Sequence, residues 1–198
     1  MGFGLICAGY TTLLFLRTVP AELIGFFVII RGLRRLSGYN VFFKAALYAS
    51  YAMLAFSAVD AVAWTLGMAG VIPKESIVNN VMSYIHILLL LPFHLFLFRA
   101  LRIISDSLGY GKGARRAVFA SSVLSVYYVI YILSLLKVPL LGSYLVPLEL
   151  LLYIVCIFVT LSAVYTCYRA ITTDEAEKRE EEKLEKYEKR FGKKGKKK

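Results

Sequence analysis

Residues 147–169 read PLELLLYIVCIFVTLSAVYTCYR, a run that opens on Pro147-Leu148-Glu149, stays apolar through Tyr168 and stops at Arg169. Proline fits the first position of a helix, where its missing N–H has no bond to lose. Glu149, two residues on, lies in the first turn and faces the positive end of the helix dipole. The apolar stretch between reaches the ~20 residues that a helix needs to cross the hydrocarbon core of a bilayer. The same order recurs at Pro20-Ala21-Glu22 and at Pro73-Lys74-Glu75, with Arg31 and Arg99 near the far ends of the runs that follow. This repeated grammar predicts an all-α, multi-pass transmembrane helical bundle built from hairpins.

Composition agrees with that class. The chain of 198 residues is 59% hydrophobic, and its mean hydropathy is +0.65, too apolar for a soluble domain of this size. Of the thirteen acids, eight fall in Asp174–Glu188, which leaves Glu22, Asp60, Glu75, Asp106 and Glu149 in the rest. The net charge of +11 is therefore no sign of a nucleic-acid partner, because most arginines flank apolar spans. Cys7, Cys156 and Cys167 all lie inside apolar runs without metal-ligand spacing, and read as small buried thiols. Residues 1–16 lack the basic start and small-residue cleavage site of a signal peptide, and are expected to be retained.

Four spans are predicted at Phe42–Gly70, Ser76–Ile104, Ala117–Leu136 and Pro147–Tyr168. Ser76 is expected to cap the second of them. The N-terminal region allows two readings. Gly2–Leu16 and Leu23–Ile30 form either one kinked helix with Arg17 and Glu22 buried, or a short hairpin that turns at Pro20. A central arginine costs at least ~2.5–3.5 kcal/mol, so six helices in three hairpins are preferred, with five spans as the alternative. The first pair is short, and is expected to be re-entrant or to thin the bilayer. Residues 1–171 then form the membrane domain and 172–198 a charged tail.

Charge orients the bundle. Arg31, Arg34, Arg35 and Lys44 mark one basic loop, and Arg99, Arg102, Lys112, Arg115 and Arg116 another. Basic loops stay cytoplasmic. This places both loops and the C-terminus inside a plasma or inner membrane, and the Pro-x-Glu turns outside. The two loops also resemble each other. Arg31-x-Leu33-Arg34, Ser37, Gly38-Tyr39 and Ala46-to-Ser50 run parallel to Arg99-x-Leu101-Arg102, Ser105, Gly109-Tyr110 and Ala117-to-Ser121. The shared orientation points to tandem hairpins, with chance similarity between apolar segments as the alternative. The Pro-x-acidic triplet resembles the mitochondrial carrier signature, but that signature continues to a basic residue where this chain has Gly25, Val78 and Leu152. No function is carried over from it.

Asp60 is the acid deepest in a clear span. If the second hairpin turns about Pro73, Asp60 and His86 lie at equal depth, each ~20 Å of helix from the turn. Asn79, Ser83 and His94 share the His86 face. An Asp60–His86 pair is the main candidate, either a proton relay or a register-fixing contact. His94 and Glu149 are secondary candidates. Glu149 begins a stripe of Tyr153, Cys156, Thr160, Ala163 and Cys167 that suits a conduction path, although capping explains it as well. Ala117, Ser121 and Ser125 suit close helix packing, and Pro92 should kink its helix. Tyrosine and phenylalanine, fourteen and thirteen in number, in part form interfacial belts.

No nucleophile elbow, HExxH, P-loop or dinucleotide fingerprint is present, so neither an enzyme nor a cofactor is expected. Thr172-Thr173 can start a tail helix with Glu182–Lys186 and Glu185–Lys189 pairs. Its end, Lys193, Lys194, Lys196, Lys197 and Lys198, is expected to meet anionic lipid headgroups. The expectation from sequence is a non-enzymatic scaffold or accessory subunit, with a membrane-protein partner or a second copy. The alternatives are a small transporter or proton-coupled permease using Asp60 and His86, and a lipid-acting enzyme.

Overall fold

The computed structural model describes residues 2–15, 19–70, 77–136, 145 and 147–169. Ser76, Lys74, Glu75, Arg17 and the whole tail from Ala170, including its lysines and its expected helix, lie outside the described residues. Six helices result, α1 (Gly2–Phe15), α2 (Val19–Leu36), α3 (Val41–Met68), α4 (Ile77–Ser107), α5 (Gly111–Leu135) and α6 (Pro147–Arg169). The last four are long and apolar enough to cross a membrane. In their most apolar windows only 22–44% of residues are buried. Side chains such as Val59, Val62, Leu88, Val129, Leu150 and Phe158 point outward. A soluble protein does not present so continuous an apolar exterior.

The helix limits follow local chemistry. Asn40 caps α3, its side-chain oxygen accepting from the Phe43 N–H at 2.9 Å. Gly70 has φ 75° just past the end of α3, the left-handed geometry that favours glycine at a helix stop. Pro92 lies inside α4. The α5 helix begins six residues before the expected Ala117, at Gly111. Gly113 makes this possible, since a Cβ there would sit 2.7 Å from the Tyr110 ring and 2.9 Å from Ser105 Oγ. Lys112, Arg115 and Arg116 therefore stand on α5, not in a loop, and the true connection is only Leu108–Tyr110.

The N-terminal region forms two helices, not one kinked helix. A Cβ on Gly9 would lie 2.7 Å from the Gly25 carbonyl and from Ile29 Cγ1, and one on Gly32 would lie 2.7 Å from the Gly2 carbonyl. The contact pairs Gly2–Gly32 and Gly9–Gly25 run in opposite senses along the two helices. Each helix presents two glycines seven residues apart, so backbone meets backbone along the seam. This glycine pattern was readable in the sequence and carries more information than the Pro-x-Glu turn.

One end of the bundle gathers the positive charge. Asn40 Nδ2 donates to the Ala100 carbonyl at 3.4 Å, Ser105 Oγ lies 3.3 Å from Cys167 Sγ, and Arg116 donates to Thr166 Oγ1. The last turns of α2, α4 and α6 thus meet the first turns of α3 and α5. Every Lys and Arg among the described residues lies toward this end. Arg34 donates to Tyr51 OH at 2.6 Å, and the Arg99 guanidinium sits 4.6 Å from the Phe42 ring centre.

The glycine seam has a measurable consequence. Gly9→Val and Gly32→Val should each lower stability by about 1–3 kcal/mol, the usual range for overpacking. Gly67, on α3 with nothing within 4 Å of an added Cβ, should accept alanine with no loss, since alanine is the better helix former. Thermal unfolding in detergent checks both, and equal effects at Gly9, Gly32 and Gly67 would contradict the seam.

Candidate functional site

The site forms where α2 begins. Glu22 stands in the first turn of α2, yet it touches residues well inside α3 and α4. Its Oε1 lies 3.2 Å from His86 Nε2, and Ser57 Oγ donates to its Oε2 at 3.3 Å. Ser57 is eleven residues before Met68, and His86 nine after Ile77. At 1.5 Å per residue the start of α2 lies about 15 Å of helix below the ends of α3 and α4. The Glu22 and His86 side chains are only 19% and 26% exposed. The His86 Nε2 atom itself is buried and makes no hydrogen bond among the described residues. The carboxylate is close but out of line with the ring N–H, so the contact is an ion pair of electrostatic character. Phe56 stacks on the His86 ring, with centres 5.7 Å apart and planes 16° apart.

The structure thus gives His86 a different ion-pair partner from the one expected. Asp60 and His86 do lie at one level, and together with Phe56, Met82 and Ser83 they border an open cleft of about 200 Å³. No ion pair or hydrogen bond joins the two among the described residues. Counting residues from the Pro73 turn predicts depth along two helices. It cannot see a third helix, and α2 inserts Glu22 against the ring. Glu22 was read as a cap at the water interface, because its place in the first turn says nothing about how deep that turn sits.

His94, two turns beyond His86, is buried. Its Nδ1 lies 3.0 Å from the Leu90 carbonyl and 2.8 Å from Tyr128 OH. A carbonyl only accepts, so Nδ1 carries the hydrogen and the Tyr128 oxygen accepts from the same N–H. This leaves Nε2 as an acceptor. The rings of Tyr10, Phe93 and Phe98 surround it, with Tyr10 edge-on at 5.5 Å.

Between the two histidines is a partly open cavity of about 90 Å³, bordered by Tyr10, Glu22, Phe26, His86, His94, Tyr127, Tyr128, Tyr131, Tyr153 and Cys156 among others. The Tyr10 hydroxyl faces Thr160 but makes no hydrogen bond of good geometry among the described residues. The cavity is roomy enough for ordered water. Asp60 and His86 thus border the cleft, and His86, Glu22 and His94 border the cavity.

The other candidates fall elsewhere. Glu149 is half-buried in the first turn of α6, one turn before Tyr153. Of the stripe that follows it, Cys156, Thr160, Ala163 and Cys167 are buried against the neighbouring helices. Thr160 bonds back to the Cys156 carbonyl. The stripe is a packing face, and only its upper end reaches the cavity. Ala117, itself buried, and Ser121 both border an open cleft beside Phe42 and Arg99. No group of His, Cys, Asp or Glu that could hold a metal exists among the described residues.

Compared with family models, with curated proteins and with solved structures, the chain matches none.

The pairing of Glu22 with His86 predicts non-additive mutations. Glu22→Leu and His86→Leu should each cost about 1–3 kcal/mol by stranding the other group. The double variant should fall short of the sum by about 1 kcal/mol or more. The same cycle run on Asp60→Leu and His86→Leu should show the smaller coupling. Additive losses for Glu22 and His86 in thermal unfolding would remove the pair.

Proposed function

We propose that this chain is a small proton-coupled permease whose working groups are Glu22, His86 and Asp60, with His94 beyond the cavity. The carrying observation is the Glu22–His86 ion pair at depth, with the Asp60 cleft on one side and the polar cavity on the other. Ionisable groups inside a bilayer are expensive and usually mark ion or proton paths. A contact that only fixes helix register requires a single pair, not a line of protonatable groups beside a cavity.

Helix geometry supports the same reading. We read α1 and α2 as a re-entrant pair whose tip ends at the level of the site. The α2 N-terminus then brings its positive dipole end to Glu22, and short helices that end at mid-membrane are a recurrent way of building solute sites. With the basic end cytoplasmic, both chain ends lie inside and the Asp60 cleft faces outward. The second reading is a non-enzymatic scaffold or accessory subunit. It is favoured by the Phe56 ring stacked on His86, which a purely register-fixing pair would also display.

Flux separates the two. Purified protein in liposomes, with an imposed potential and an internal pH dye, should conduct protons above the empty-liposome rate. Glu22→Gln and His86→Gln should lower this at least about tenfold, the loss typical of removing a proton-transfer group, and Asp60→Asn should slow it. Rates equal to empty liposomes would leave the scaffold.

Sidedness has its own check. An impermeant thiol reagent applied to intact cells should label Lys74→Cys and spare Gly38→Cys. The opposite pattern would invert the orientation.

A further inference from the structure

The cavity lining favours one sign of charge. Aromatic rings from four helices, Tyr10, Phe26, Tyr127, Tyr128, Tyr131 and Tyr153, form about half of its lining. Glu22 is the carboxylate on that wall, and no Lys or Arg among the described residues borders it. Ring faces carry negative potential and attract cations. An apolar wall opposes any charge that lacks a counter-charge, and Glu22 supplies a negative one. The size narrows the occupant further. An apolar cavity of ~150 Å³ takes benzene, so about 90 Å³ suits a molecule of only a few heavy atoms.

From this lining we infer that the cavity is a binding site for a small organic ammonium ion. The inference deepens the permease reading of the same site by naming its substrate class. The ammonium replaces the His86 ring as the partner of Glu22. It also donates to the Tyr10 hydroxyl oxygen, which is buried without a hydrogen bond among the described residues, and to Nε2 of His94, the acceptor nitrogen of that ring. The apolar part of the ligand lies against the tyrosine rings. Charge at this end of the bundle agrees with such a ligand. Glu22, Asp60 and Glu149 are the charged side chains on the site half among the described residues, while every described Lys and Arg lies toward the opposite end. A cation approaching through the Asp60 cleft meets His86, which borders both the cleft and the cavity.

The test uses the full chain in detergent, with ethylammonium as the probe and ethanol as its uncharged isostere. Ethylammonium should raise Tm in a concentration-dependent way, as expected of a ligand that binds the folded state. Ethanol, and sodium chloride at the same concentration, should not. Saturation-transfer NMR should show the ethyl protons in contact with protein only for the amine. Glu22→Gln should weaken ethylammonium binding about 10–100-fold, the loss of one hydrogen bond to a charged group. Tyr153→Leu should weaken it roughly 3–30-fold and Tyr153→Phe hardly at all, since the ring face and not the hydroxyl is used. Equal responses to ethanol and ethylammonium overturn the inference, and so does unchanged binding in Glu22→Gln. Should Glu22→Gln fail to fold, the wild-type comparison of amine with alcohol decides alone. Binding without proton flux would retain this site and remove the coupled permease, and flux without binding would do the reverse.

Discussion

The approach of α1 to α2, backbone against backbone at Gly2, Gly9, Gly25 and Gly32, is the contact on which the rest of the structure depends. In a bilayer, helices gain little from hydrophobic exclusion, because lipid tails are as apolar as leucine. Close packing and dispersion must hold them instead. Small residues allow that approach, and each glycine on this seam would meet a carbonyl or a side chain if it carried a Cβ. The seam fixes the register of α2 against α1, and α2 carries its first turn well below the ends of α3 and α4, beside Ser57 and His86.

That depth determines the chemistry. A glutamate in the first turn of a helix is ordinarily a cap in water. Here the turn lies beside Ser57 and His86, and the same carboxylate becomes a half-buried charge with a histidine and a serine as partners. The low dielectric around it strengthens each interaction and raises the cost of leaving one unmade. Tyr128 and the Leu90 carbonyl serve His94 in the same way. Between the two histidines the aromatic walls keep the cavity narrow and its polar atoms few.

The opposite end follows different rules. Its arginines reach outward, or lie over Phe42 and Tyr51, where ring faces and a hydroxyl receive them. The similar turns after Leu36 and after Ser107 bring the two halves of the apparent duplication to one face. They differ in detail, since Asn40 caps its helix through a side chain and Tyr110 does not. The described lysines and arginines at one end, beside long apolar helix surfaces, form a polarity that a bilayer would read as orientation.

Much of this was legible in the chain. Apolar runs of about 25 residues, ended by Gly70, Pro73 and Arg169, specify long helices whatever surrounds them, because backbone groups in lipid must be satisfied within the segment. The gathering of the described arginines and lysines at one end was equally plain. What only the tertiary structure decided was the partner. Asp60 and His86 share a level because depth follows from counting residues along two helices. Glu22 reaches His86 because the first turn of α2 packs beside Ser57 and His86, and the offset of one helix against another is a property of packing surfaces in three dimensions. The cavity arises for the same reason. Its walls come from α1, α2, α4, α5 and α6, and no local pattern records which faces of five helices will converge.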